Sequence, residues 1–191
     1  CTLTRSVRIN HKTIHVWSAV LKQVRGSKLI LNSKSFVDPG FQQTMAARFS
    51  AEGIHSDRLI MGYDSPPWDV LRQIDISFDC FPHNSGTTLY ESLYMGTPFV
   101  TLAGRPSVGR IGATVLTGAH HPEWIAETES EYIEKAVALA SDLPELAHIR
   151  RQLRDKMQSL PFMDEALFVK KLEQAYRQMW QTFCDFKKPN L

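Results

Sequence analysis

What most constrains this chain is an alternation: four short apolar runs with few charges inside them, each followed by a segment of helical periodicity. The runs are Lys28 to Leu31, Arg58 to Met61, Asp75 to Phe78 and Pro98 to Leu102, and strands buried on both faces have this character. Between them, His11 to Val24 carries Ile14, Trp17, Val20, Leu21 and Val24 on one helical stripe, and Pro39 to Glu52 places Phe41, Met45 and Phe49 four apart. Gly26 and Gly53 close those two helices, Thr87 to Met95 stops at Gly96, and Gly109 to Leu116 is a short helix of small residues. Crossover helices can join such strands into one parallel sheet, so an α/β domain with flanking helices is expected. The opening Cys1 to Ile9 alternates as though a strand were already under way, which points to a fragment of a longer chain.

Beyond a brief segment at Glu123 to Ala126 the pattern becomes wholly helical. Ser130 to Ser141 holds Tyr132, Ile133, Ala136 and Leu139 in register, and a further helix runs from Pro144 to Leu160 before Pro161 ends it. From Asp164, an expected N-cap, the residues Leu167, Phe168, Leu172, Ala175, Tyr176, Met179, Trp180 and Phe183 form a wide apolar stripe. Such a stripe needs a partner surface, and core packing explains it better than a cofactor box. One domain over residues 1–186 is expected, with 187–191 as a frayed tail.

Bulk properties narrow the function. A formal charge of +2 supplies no basic field for nucleic-acid binding, so any anion must be held locally. No apolar stretch approaches the roughly 20 residues of a membrane span. The cysteines Cys1, Cys80 and Cys184 are odd in number and far apart, unlike a zinc or redox motif, and fit a reducing cytoplasm. His120 and His121 precede Pro122 as in a turn and have no third ligand at metal-site spacing.

The segment from Asp79 to Pro98 carries the chemistry. A strand ends at Asp79, a small polar loop follows, and a helix opens at Gly86 to Thr88, so free backbone N–H groups point into the crevice at the strand ends. Gly86 allows close approach of a phosphate, and the hydroxyls of Thr87 and Thr88 add donors. Glu91 lies one turn further on the same face, where a carboxylate can accept from two vicinal ribose hydroxyls. An ordinary strand, loop and capped helix accounts for these residue types equally well.

The stretch Phe81-Pro82, Gly86-Thr87-Thr88, Glu91-Ser92-Leu93-Tyr94-Met95-Gly96, Pro98 and Val100-Thr101 resembles the nucleotide-sugar motif of the O-linked N-acetylglucosamine transferase and SPINDLY family, and is closer to the SPINDLY branch. The likeness continues through Ala103-Gly104, Arg110 to Ala113, Glu131-Tyr132, the Leu146 to Met157 helix and Tyr176 to Trp180. The resemblance implies the Rossmann-like C-terminal lobe of a GT-B glycosyltransferase, ending in long helices. It implies transfer of a sugar from UDP-GlcNAc or GDP-fucose to Ser or Thr hydroxyls of an acceptor protein, without a cofactor or required metal. A separate N-terminal lobe and upstream tetratricopeptide repeats are the partners it suggests.

Residue by residue, the resemblance assigns Thr87 and Thr88 to the diphosphate and Glu91 to the ribose. Arg8 falls where the family usually has a diphosphate-contacting lysine, Lys34 matches a SPINDLY-like lysine, and Arg5 occupies a polar position near the nucleotide. Gly86 replaces a histidine common among the N-acetylglucosamine transferases. Trp68, near another such histidine, is either a base-stacking ring or a partly buried tryptophan starting a helix. His83 and Asn84 flank the nucleotide loop, His83 as a donor contact or a solvated histidine. Arg110, like Arg105, borders the small-residue helix and either lines the cleft or forms a structural pair. Cys80 is expected to pack as a small apolar residue. No residue is a persuasive general base, so no catalytic residue is assigned and the fragment is expected to be inactive alone. The other readings are a different GT-B enzyme, such as a sugar-nucleotide epimerase, and a non-catalytic protein-interaction module.

Overall fold

The computed structural model describes residues 1–186, and the expected frayed tail lies outside the described residues. The chain falls into two compact units, Cys1–Met157 and Gln158–Leu191. In the first, β1 (Leu29–Asn32) and β2 (Leu59–Gly62) pair in parallel from Leu29 opposite Leu59 to Asn32 opposite Gly62. A second parallel set comprises β3 (Ser77–Phe78), β4 (Phe99–Leu102) and β5 (Ile125–Ala126), in that order.

Extended backbone at Cys1 and Thr2 stitches the two sets together. On one side Thr2 N donates to the Ile30 carbonyl at 2.9 Å and Asn32 N to the Thr2 carbonyl at 3.1 Å. On the other, Cys1 N donates to the Ile76 carbonyl at 2.8 Å and Phe78 N to the Cys1 carbonyl at 2.6 Å. The spatial order is therefore β2, β1, the Cys1–Thr2 segment, β3, β4, β5. Chain order reverses direction between that segment and β3, and open α/β sheets bind ligands beyond the strand ends at such a switch point. The strand expected through Ile9 ends early. Ser6–Arg8 form a 3-10 turn, because Arg8 N and Ile9 N bond back to the carbonyls of Arg5 and Ser6.

Helices cover both faces. Alternation along β1 sends Leu29 and Leu31 into one cluster and Ile30 against the other. The first cluster takes Ile14, Trp17, Val20 and Leu21 from α1 (His11–Gln23), Met45 and Phe49 from α2 (Pro39–Ala51), and Tyr132 and Ala136 from α6 (Glu129–Ser141). The second gathers Cys1, Ile74, and Val70 and Leu71 from α3 (Trp68–Gln73). The helices α4 (Thr87–Tyr94), α5 (Ile111–Gly118) and α7 (Leu143–Gln158) bury Leu89, Leu93, Val115, Leu116, Leu146, Leu153 and Met157.

Three of these helices begin at a side-chain cap. Asn10, Asp38 and Thr128 each accept from the backbone N–H three residues on, at the starts of α1, α2 and α6. Gly96 closes α4 at φ +79°, and a Cβ there would lie 2.7 Å from the Arg150 carbonyl of α7, so only glycine meets both demands.

In the second unit, Asp164 accepts from Leu167 N at 2.9 Å, and α8 (Glu165–Phe186) follows. The stripe expected to be core is exposed instead: none of α8's residues is buried, and Tyr176 and Trp180 are 60% and 67% accessible. Among the described residues no helix is long and apolar enough to cross a membrane.

Gly96→Ala is expected to lower stability by roughly 1–3 kcal/mol, through the left-handed backbone and the contact with Arg150, as urea unfolding will measure.

Candidate functional site

The loops that leave the carboxyl ends of the strands carry the expected site residues. Arg5 and Arg8 follow the Cys1–Thr2 segment, and Lys34 begins the 3-10 turn Lys34–Val37 after β1. Serines tie those two loops together: Ser6 Oγ donates to Ser35 Oγ at 2.8 Å, and Ser6 N donates to Ser33 Oγ at 3.4 Å. Across the switch point, Arg8 Nη1 donates to the Asn84 carbonyl at 3.0 Å. The structure thus brings the Arg5–Arg8 turn against both the Lys34 loop and the loop that opens α4.

Gly86 is the N-cap residue of α4, and no side chain caps that helix end. The contrast with α1, α2 and α6 is physical. In each of those a side chain satisfies one first-turn N–H, whereas α4, like α3 and α5, has no side chain on its first-turn N–H groups, at the positive end of its dipole. Gly86 also leaves space, since a Cβ there would meet nothing within 4 Å. Leu89, Ser92 and Leu93 face the core, while Thr87 is exposed and Thr88 and Glu91 are half-buried. Among the described residues, Arg5, Arg8, Lys34 and Arg110 make no ion pair, and the buried Nε of Arg8 has no hydrogen-bond partner. Four cations without an ion pair thus lie on loops that leave strand ends, as does the uncapped N-terminus of α4, with Glu91 one turn further along that helix.

The remaining candidates divide. Arg110 is exposed at the N-cap of α5. His83 is exposed, and its carbonyl accepts from the Cys80 thiol at 3.0 Å. Trp68 is half-buried and packs with Leu3, Ile30 and Met95 against the Leu71 cluster, which commits part of its ring to the core. Asn84 is fully buried with its amide spent on the loop: Nδ2 donates to the Cys80 carbonyl at 3.0 Å and Oδ1 accepts from Gly112 N at 3.2 Å. Burial pushes the Cys80 thiol up to about 11, so it packs and does not act as a nucleophile.

Asp79, which the sequence marked only as a strand end, is 0% exposed. Its Oδ1 accepts from Ser85 N and its Oδ2 from the Thr101 hydroxyl, both at 2.7 Å. Its backbone carbonyl accepts from Tyr132 Oη at 3.1 Å, and Trp17 Nε1 donates in turn to that oxygen at 3.3 Å. Burial raises the Asp79 carboxyl to about 7, against the opposing pull of its hydrogen bonds with Ser85, Thr101 and the Cys80 amide. An aspartate closing an apolar run and followed within six residues by Asn84 and Ser85 was the available signal. A carboxylate buried there needs such short-range donors.

Two cavities lie elsewhere. One of about 640 Å³ is lined by His11, Thr44, Arg48 and Glu52 of α1 and α2. Another of about 590 Å³ lies at the opposite end of the sheet, against Leu29, Ile76 and Ala140. Neither includes the residues from Gly86 to Glu91. Among the described residues no cluster of His, Cys, Asp or Glu could hold a metal ion.

The unfolded carboxyl of Asp79 titrates near ~3.9, so folding takes up a proton between that pH and about 7. Stability contributed by this group is therefore full below the lower value and is lost as pH rises toward the upper. Asp79→Asn is expected to flatten that decline, which urea midpoints at several pH values for both proteins will show.

A family model described as Glycosyl transferase family 41 matches residues 1–172. "Probable UDP-N-acetylglucosamine--peptide N-acetylglucosaminyltransferase SPINDLY" of Solanum lycopersicum is 33% identical over 190 residues, covering 96% of this chain and 20% of that protein. The similarly named SEC protein of Arabidopsis thaliana is 28% identical over 187 residues, covering 95% of this chain and 19% of its own. The solved structure of a Thermobaculum terrenum O-GlcNAc transferase mutant superposes with a TM-score of 0.93 at 29% identity, over 98% of this chain and 36% of that one. The chain thus spans about a fifth of the length of the curated relatives it matches.

Proposed function

Because the chain belongs to glycosyl transferase family 41, we propose that it is the donor-binding lobe of a cytoplasmic protein O-glycosyltransferase. In this reading it holds a nucleotide diphosphate sugar whose sugar passes to a Ser or Thr hydroxyl. The observation that carries the proposal is the uncapped start of α4 at Gly86, surrounded by loops whose cations are unpaired.

Glycosyl transfer breaks the bond between the sugar and the diphosphate, and negative charge then grows on the departing diphosphate. Arg8, Lys34, the Thr87 and Thr88 hydroxyls and the first amides of α4 stabilise that charge without rearranging, so their effect is larger in the transition state than in the ground state. This assignment needs no metal. Glu91 accepts from the ribose hydroxyls and fixes the nucleoside, which orients the scissile bond. Arg5, His83 and Arg110 stand at the rim of the crevice, where the base and sugar would lie, and the exposed part of Trp68 offers a stacking face.

The donor proposed is UDP-N-acetylglucosamine, the nucleotide sugar in the names of the plant relatives. Deprotonation of the acceptor needs a base, and the buried Asp79, Cys80 and Tyr132 do not serve, since none is exposed. The acceptor-activating groups are therefore assigned to portions of the enzyme beyond this chain, and the chain by itself is expected to bind nucleotide without transferring sugar.

Calorimetry of the chain with uridine and guanosine diphosphates tests the reading. Binding of uridine diphosphate is expected. Preference for guanosine diphosphate would replace the donor by GDP-fucose, and silence toward both in a folded sample would favour an interaction module. Glu91→Ala is expected to weaken binding by about 1 to 3 kcal/mol, and an unchanged affinity rejects the ribose assignment. Sugar transfer by the chain alone would contradict the division of labour.

A further inference from the structure

Asp79 is the one buried carboxyl group among the described residues, and the transfer step assigned above does not use it. Its partners are neutral donors, with no arginine or lysine bonded to it. A carboxyl placed this way costs stability relative to an apolar residue, and such a cost is tolerated where the surrounding structure gains something specific from it.

We infer that Asp79 is a positioning residue for nucleotide binding: its carboxyl group clamps the Ser85 amide and the Thr101 hydroxyl, and so aims the first turn of α4 at the diphosphate. The inference rests on the donor-binding reading of α4. Its geometry is short and local. Ser85 immediately precedes the N-cap Gly86, so the 2.7 Å bond from Ser85 N to Oδ1 sets the peptide plane from which α4 departs. The 2.7 Å bond from Thr101 to Oδ2 anchors the same carboxyl to β4, the middle strand of its set.

The clamp is closed on its remaining side by α5. A Cβ at Gly112 would stand 2.7 Å from Asp79 Oδ2 and 2.2 Å from Thr101 Oγ1, so the bare Cα of glycine is what lets α5 seat directly on the carboxyl. Gly112 N then donates to Asn84 Oδ1, and Asn84 N donates to the Val108 carbonyl at 2.9 Å. Asn84, one residue before Ser85, offers its carbonyl to Arg8. One buried carboxyl thus governs both the helix end and the backbone on which the expected phosphate-binding arginine rests. The adjacent ionisable groups do not share its titration range. Burial raises the Cys80 thiol and the Tyr132 hydroxyl far above neutrality.

The test compares Asp79→Asn with Asp79→Ala in this chain, reading calorimetric affinity for uridine and guanosine diphosphates and amide hydrogen exchange by segment. Asparagine keeps an acceptor for Ser85 and can donate to Thr101, so Asp79→Asn is expected to bind like the parent. Asp79→Ala is expected to lose roughly tenfold in affinity, the worth of one hydrogen bond. Amides from Ser85 to Leu89 should lose protection in that variant while those of β1 and β2 keep theirs. If Asp79→Ala does not fold, Thr101→Val removes one arm of the clamp and is expected to give the same selective pattern at smaller amplitude. Parental affinity with unchanged exchange over Ser85 to Leu89 overturns the inference, and so does protection lost equally in both regions, which marks a general scaffold residue. A parent silent toward both nucleotides would defeat the donor-binding reading alone, with the exchange pattern still deciding whether Asp79 orients that helix end.

Discussion

The extended backbone at Cys1 and Thr2 is the seam on which the rest of the first unit depends. Two residues complete hydrogen bonds with β1 on one side and β3 on the other, and no other described segment spans the two strand sets. Parallel strands cannot share an edge without such a partner, because each leaves a row of N–H and C=O groups to satisfy. With that segment between β1 and β3, β1 and β2 lie to one side of it and β3, β4 and β5 to the other. The crevice at the reversal is a consequence of that order, and the turn that follows the seam delivers Arg8 to the loop before α4.

Electrostatics then separates two layers of the site. On the loops, Arg5, Arg8, Lys34 and Arg110 stand without carboxylate partners, and the helix end at Gly86 has no side-chain cap. Beneath it, Asp79 carries the opposite polarity but is sealed by Thr101, Ser85 and α5. Burial raises its carboxyl to about 7, which favours the protonated, neutral form relative to an exposed aspartate. The geometry that the acid maintains survives protonation, since the Ser85 amide still finds an oxygen to donate to.

Family membership fits this architecture because the family match, over residues 1–172, spans both halves of the sheet and the segment from Gly86 to Glu91. The second unit is another matter. The stripe on α8 from Phe168 to Phe183 has the width of a core-facing helix yet is exposed along its length. Periodicity reports that a helix has an apolar face. It carries no information about whether the surface that would cover the face belongs to the same chain.

Local sequence determined the element types and most of their ends. Apolar runs marked β1 to β4 within a residue or two, Asp164 placed a helix start and Gly96 a helix stop, since capping and backbone preference act over three or four residues. The helix start at Gly86, with Glu91 one turn on, was legible for the same reason: local residue types mark it. The strand through Ile9 and the buried side of the α8 stripe were misjudged, because strand extension and helix burial are decided by partners distant in the chain. Tertiary structure alone decided that Asn84 turns inward, that Trp68 shares its ring with the core, and that Asp79 is enclosed by Thr101 and Gly112. Each of those outcomes depends on contacts between residues far apart in sequence, and a polar side chain's burial is set by which donors the fold brings to it.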